Sequence, residues 1–215
     1  ACCHFDSIPD LRMKCMLLLA LLSFTWGSDL LTGPQDLLDI VHQQQNVRSD
    51  KFSVKHAYQQ MYGMYLLPYC QNKHREGIPI KMLEIGLGCK RADHNPLYSL
   101  LSRPEAQEGL FNGYKVWKAI LNGPHDELWY AEHDKKCLHM RRGGMFSKSR
   151  LEGLHILEGD QGNADTVVEW VRISSGNFDI IIDDGSHKNH DIYTSFLHLW
   201  PHVKVCDPKV SSTRA

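Results

Sequence analysis

The spacing of apolar residues changes along the chain, and each change marks a different element. From Pro34 to Gln45, Leu37, Leu38, Ile40 and Val41 recur at helical intervals with Pro34 in the first turn, which predicts a short amphipathic helix. Ser53 to Tyr69 carries Tyr58, Met61, Tyr62 and Tyr65 at similar spacing and predicts a second, aromatic helix. At Ile80 the pattern becomes a compact run, Ile80-Lys-Met-Leu-Glu-Ile85, closed by Gly86. Short apolar runs of that kind are strands buried on both faces.

The same alternation continues downstream. Tyr114 to Leu121 reads as a helix, Glu127 to Ala131 as a strand, and Asp134 to Arg142 as a helix stopped by Gly143-Gly144. Leu154 to Leu157 and Phe178 to Ile182 read as strands, followed by helices over Ala164 to Val171 and Asp191 to Trp200. Strands alternating with helices form βαβ units, so the expected fold class is α/β: a Rossmann-like three-layer sandwich around a mainly parallel sheet of about four strands. Val205 to Ala215 carries no continuing pattern, and the sheet is expected to end early. The organisation read this way is an upstream segment and leader over 1–28, N-terminal helices over 29–77, the α/β domain over 78–204, and a patternless tail over 205–215.

The leader stands apart in composition. Met13-Lys14, the apolar run Met16 to Trp26 and the small residues Gly27-Ser28 form a signal-peptide pattern, too short for a comfortable membrane span. On that reading Met13 is the start, Ala1 to Arg12 lie upstream, and the protein enters the secretory pathway. The other readings are an uncleaved signal anchor or a buried N-terminal helix, the last leaving the chain cytoplasmic.

Charge and composition narrow the function classes. A length of 215 residues suits one α/β domain with a substantial core. The formal net charge of −1 offers no basic stripe for nucleic acid or an anionic membrane. Seven cysteines show no zinc-type spacing, so the four in the body (Cys70, Cys89, Cys137, Cys206) read as ordinary thiols, with one disulfide only if the body is lumenal.

Four segments could carry chemistry. Leu83-Glu84-Ile85-Gly86-Leu87-Gly88 ends the first strand, where glycines allow a tight turn and close backbone approach to a ligand. A third glycine is missing: Cys89, Lys90 and Arg91 follow, which disfavours a dinucleotide site. Glu132 ends the second strand, where an acid can accept bonds from both hydroxyls of a ribose; Asp134 competes for that role. Its distance from Gly86 exceeds the usual interval and implies an insertion over Arg91 to Gly113. Asp160, in Glu158-Gly-Asp-Gln161, lies after the third strand where such folds contact adenine, although Gly-Asp is also ordinary turn chemistry. Most specific is Phe178-Asp-Ile-Ile-Ile-Asp183-Asp184-Gly-Ser-His187: a strand running into two carboxylates and a histidine. Carboxylate oxygens suit Mg²⁺ and a histidine suits a general base, the combination that deprotonates a hydroxyl. The plain alternative is a capping Asp beside a solvent-facing His.

Taken together these segments resemble a family. Glu-x-Gly-x-Gly resembles motif I of class I S-adenosylmethionine-dependent methyltransferases. With Ser49-Asp-Lys-Phe52, Gly159-Asp-Gln-Gly162 and Ile182-Asp-Asp-Gly-Ser-His187 in the same order, the chain resembles the metal-dependent sugar O-methyltransferases of macrolide biosynthesis, the mycinamicin type. It is also similar to uncharacterised eukaryotic methyltransferase-like proteins. The resemblance covers about Ser49 to Lys204. It implies S-adenosylmethionine contacts at Glu84, Gly86, Gly88, Glu132, Asp160, Gln161 and Asp183, Mg²⁺ at Asp184, His187 as base, and a small-molecule or sugar hydroxyl as acceptor. In that family a Gly-Gly turn and a fifth strand ending in Glu-Asp follow the equivalent of Lys204 and complete the metal site. Here Val205-Cys-Asp-Pro follows instead, so the fourth strand is expected to leave an apolar open edge, prone to pair with another chain or copy. Two other readings stand beside this one: a non-catalytic binding module needing a partner, and an NAD-dependent oxidoreductase.

Overall fold

The computed structural model describes residues 33–43, 57–87, 112–135 and 154–205. The leader, Ser49 to Phe52, Gly88, most of the expected insertion, the helix expected beyond residue 135 and the tail after Val205 lie outside them. Among the described residues no helix is long and apolar enough to cross a membrane.

The elements run α1 (Pro34–Gln43), α2 (Gln59–Met61), a π-helical segment (Tyr62–Leu66), α3 (Leu67–Arg75), β1 (Lys81–Ile85), α4 (Asn112–Ile120), β2 (Glu127–Glu132), β3 (Leu154–Glu158), α5 (Ala164–Ser174), β4 (Ile180–Asp183) and α6 (Asn189–Leu199), closed by a 3₁₀ turn (Trp200–His202). The four strands form one parallel sheet in the order β3-β2-β1-β4. This is the expected α/β class.

Alternation along the strands builds two cores. Met82, Leu128 and Tyr130 face α1, the π-helical segment and α4, packing with Leu37, Tyr62, Leu66 and Trp117. Leu83, Ile85, Trp129 and Ala131 face the opposite way, into Val167, Trp170, Phe178 and Leu199. Buried side chains on both faces are the reason β1 reads as an unbroken apolar run.

Two departures from the sequence reading have physical causes. The aromatic helix does not stop near Tyr69. It continues to Arg75, widened to π-helix just before Pro68, a residue with no amide N–H to give to the preceding turn. Gly63 in that segment lies against α1's entry, where a Cβ would stand 2.4 Å from the carbonyl of Gly33.

The second departure is at the sheet edge. The 3₁₀ turn delivers Val203 parallel to Phe178, with Phe178 N donating to the His202 carbonyl at 3.0 Å and Lys204 N to the Phe178 carbonyl at 2.8 Å. The edge expected to be open is therefore occupied at its N-terminal end. Beside Ile181 to Asp183, no strand lies on that side among the described residues.

Two buried aspartates fasten the N-terminal end of the sheet. Asp126 accepts Ile80 N and Gly123 N, both at 2.9 Å, and lies 2.7 Å from His74 Nε2. Asp179 accepts Lys81 N at 2.8 Å, the Tyr69 hydroxyl at 3.2 Å and Lys204 Nζ at 2.5 Å, with Lys73 Nζ at 3.8 Å. It joins α3, β1, β4 and the returning chain. Nearby, burial first, and then the charges of Asp126 and Asp179, push the Cys70 thiol far above its ordinary range. That leaves it a packing residue.

Removing the Asp179 carboxylate strands a buried amide and two lysines that can still reach water. Asp179→Ala should cost about 2–3 kcal/mol in urea unfolding. A second expectation concerns His155 on β3, whose ring stacks on Trp129 at a centroid distance of 4.2 Å. Partial desolvation lowers its pKa from the ordinary 6.5, opposed by the charge of Glu127 and aided more weakly by that of Lys81. The unfolded chain then binds the proton more readily, so stability falls as pH drops below about 6.5. Melting His155→Gln across pH 5–8 should show a flatter acid limb than the parent.

Candidate functional site

From β1 the chain steps outward through β2 to β3, then crosses back to place β4 on the other side of β1. In open parallel sheets, ligands bind beyond the carboxyl ends of the strands where this order reverses. The reversal here lies between β1 and β4, and the predicted motifs sit at those ends.

Gly86 follows β1 with φ of +95°. A Cβ there would stand 2.2 Å from the carbonyl oxygen of Asp184, so both the dihedral and the contact require glycine. Its N–H donates to the Ala131 carbonyl at 2.9 Å, and Asp184 N donates to that of Ile85 at 2.9 Å. The turns after β1 and β4 are thus locked together.

Glu132 closes β2 beside this turn. Its carboxylate accepts Leu87 N at 3.1 Å and Asp134 N at 2.9 Å, with His133 Nδ1 3.2 Å away. It therefore pins the turn at Leu87 as well as standing at the strand end. Glu84 is buried, and its carboxylate accepts the Trp117 indole N–H at 2.5 Å. Asp160 is exposed in the turn after β3 and accepts Gly162 N at 2.9 Å. Gln161 is buried and reaches across to β4, where its Nε2 donates to both oxygens of Asp183 at 3.1 and 3.0 Å.

Beyond β4, His187 Nε2 lies 3.8 Å from Asp184 Oδ1. The imidazole is largely exposed, and its residue holds a left-handed φ of +58°. Among the described residues no group of three or more His, Cys, Asp or Glu could hold a metal ion, so Asp184 and His187 do not by themselves make a site for Mg²⁺. A groove of about 280 Å³ runs along the outer side of β4, lined by Tyr58, Met61, Tyr62, Leu66 and Ile180 to Asp184.

The structure thus gathers Gly86, Glu132, Gln161, Asp183, Asp184 and His187 at one end of the sheet. It packs Glu84 beneath α4. Ser195 escapes sequence reasoning: nearly fully buried on α6, it donates to Asp183 at 2.7 Å. Its signal is weak, a serine four residues after Asp191 on one helical face.

Parts of this chain are shared with known proteins. No protein-family model matches the chain. Over 156 residues it is 28% identical to mycinamicin VI 2''-O-methyltransferase of Micromonospora griseorubida, covering 72% of this chain and 30% of that protein. A stretch of 46 residues is 48% identical to demethylmacrocin O-methyltransferase of Streptomyces fradiae, covering 21% of this chain and 11% of that protein. The fold superposes on the MycE methyltransferase of mycinamycin biosynthesis, in complex with Mg and SAH, with a TM-score of 0.51 at 24% identity. That likeness covers 78% of this chain and 36% of MycE. MycE with Mg, SAH and mycinamycin VI gives 0.50 at 22%. At these identities the structural likeness shows the fold, a partial methyltransferase-like α/β sheet. The chain is related to the mycinamicin and macrocin O-methyltransferases over part of its length, and spans less than a third of those curated relatives.

The locked turns give a direct check on the site's construction. Gly86→Ala meets both a disfavoured dihedral and a backbone oxygen, and should destabilise the chain by about 2 kcal/mol or more in urea unfolding. Amide exchange at Asp184 should rise with it.

Proposed function

We propose that this chain carries the methyl-donor half of an S-adenosylmethionine-dependent O-methyltransferase acting on a sugar or other small-molecule hydroxyl. One observation carries the reading: where the strand order reverses, the glycine turn of β1, the acid of β2 and the Asp184–His187 pair of β4 converge. The relation to mycinamicin VI 2''-O-methyltransferase supports it. The absent third glycine argues against a nicotinamide dinucleotide in the same cleft.

The residues fit the donor's chemistry. Gly86 leaves room at the β1 turn, and Glu132 stands where ribose hydroxyls would add to the bonds it already accepts. When bound, S-adenosylmethionine supplies an electrophilic methyl group on a sulfonium. His187 is the base that would take the proton of the acceptor hydroxyl, and the sulfonium would give up its methyl group to that oxygen and leave as a thioether. Asp184, 3.8 Å away, then faces the imidazolium that forms. MycE is described with Mg, and Asp184 is the carboxylate we assign toward such an ion. The described residues leave that site incomplete, so no step is routed through it.

The groove beside β4 favours one further reading, that the chain is a binding module completed by a partner.

Calorimetric titration of the full chain with S-adenosylhomocysteine distinguishes the two. Saturable binding is expected, unchanged by EDTA because the donor contacts include no metal. Glu132→Gln should weaken it roughly tenfold, the loss of about one charge-assisted bond. A folded chain that binds no S-adenosylhomocysteine would sink the methyltransferase reading.

A further inference from the structure

We propose that Gln161 is the positioning residue of this site, whose side-chain amide sets the Asp184–His187 turn and thereby places the His187 imidazole. The role assigned to His187 rests on the function proposed above; the geometry that places it does not.

Gln161 spends its amide on the two ends of that turn. Its Nε2 donates to both oxygens of Asp183 and lies 3.5 Å from Ser195 Oγ, while its Oε1 accepts the backbone N–H of Ser186 at 2.9 Å. Asp183 also accepts Gly185 N at 3.2 Å and Ser195 Oγ at 2.7 Å. A carboxylate so bonded anchors the turn, although the residue itself is exposed. Gly185 permits the arrangement, since a Cβ there would stand 1.8 Å from Gln161 Oε1.

The turn needs such support. His187 holds a φ of +58°, which costs an L-residue roughly 1 kcal/mol and persists only when neighbours determine it. On one side Ser186 N is held by Gln161. On the other, Lys188 N donates to Ser186 Oγ at 3.2 Å, and the Ser186 hydroxyl bonds Asp191, lowering that carboxyl's pKa. Without the Gln161 acceptor, the Gly185–Ser186 peptide loses its tether. His187 then relaxes toward ordinary dihedrals and away from Asp184. Gln161 therefore acts through His187 and touches no reacting atom.

The test uses isotope-labelled full chain and Gln161→Met, which keeps the side chain's bulk without the amide. Ser186 amide exchange should accelerate roughly tenfold, the worth of one buried hydrogen bond. The His187 Cα shift and coupling should leave left-handed values, while the melting temperature stays near the parent's. A solely structural role would move the melt and leave the His187 dihedral alone. Gly185→Ala, which drives Oε1 away, should reproduce both local changes.

Parental Ser186 protection with a left-handed His187 in Gln161→Met overturns the proposal. If both variants fail to fold, Gln161 is a stability residue and the proposal falls. A parent chain that binds no S-adenosylhomocysteine sinks the methyltransferase reading alone, because the exchange and dihedral measurements still decide Gln161's part.

Discussion

The structure turns on one close approach: Gly86 has no side chain where the Asp184 carbonyl needs to be. That contact sets the ends of β1 and β4 side by side at the only reversal of strand order in the described sheet. Everything functional follows from it. Asp184 N can reach the Ile85 carbonyl, Glu132 can pin Leu87 from the other side, and Asp184 and His187 stand together just beyond β4. The helices hold this junction rather than form it. Trp117 packs against one face of the sheet while Trp170 and Phe178 pack against the other.

The acids of this chain divide by which end of the sheet they occupy. At the N-terminal end, Asp126 and Asp179 are buried, and each gathers several donors from different elements. Asp179 faces two lysines and Asp126 a histidine besides their backbone donors, which makes burial tolerable. At the C-terminal end, Asp184 is partly exposed beside an exposed imidazole. Asp183, its neighbour in sequence, is exposed as well, but Gln161 and Ser195 hold its carboxylate. Two adjacent aspartates thus have different jobs, set by which way the strand turns each one.

Much of this was legible in the sequence for a simple reason. Strands buried on both faces leave continuous apolar runs, so β1, β2 and β4 stood out, and their C-terminal residues named the candidate site. What stayed hidden depends on contacts distant in sequence. The pairing of Gln161 with Asp183 spans 22 residues, and that of Glu84 with Trp117 spans 33. Neither leaves a local pattern, so neither contact could be read from the sequence. Val203-Lys-Val205 is too short to show a strand period, so its return to Phe178 could not be read. The π-helical widening before Pro68 is a local effect, but the aromatic periodicity around it masks the break.

That return also explains how an edge strand as apolar as Ile180-Ile-Ile182 can sit at the margin of the described sheet. Aliphatic edges are hazardous because their free backbone groups and side chains recruit other chains. Here Phe178 is paired on its outer side, and Lys204 brings its ammonium onto Asp179 just below. The ladder is opened and fastened at the end farthest from the site. The groove of Tyr58, Met61, Tyr62 and Leu66 lies along the remainder, next to Asp183 and Asp184. Its lining includes neither Gly86 nor Glu132. The residues locked around Gly86 and the groove along β4 are therefore two separate features of this sheet, joined only through the turn that follows β4.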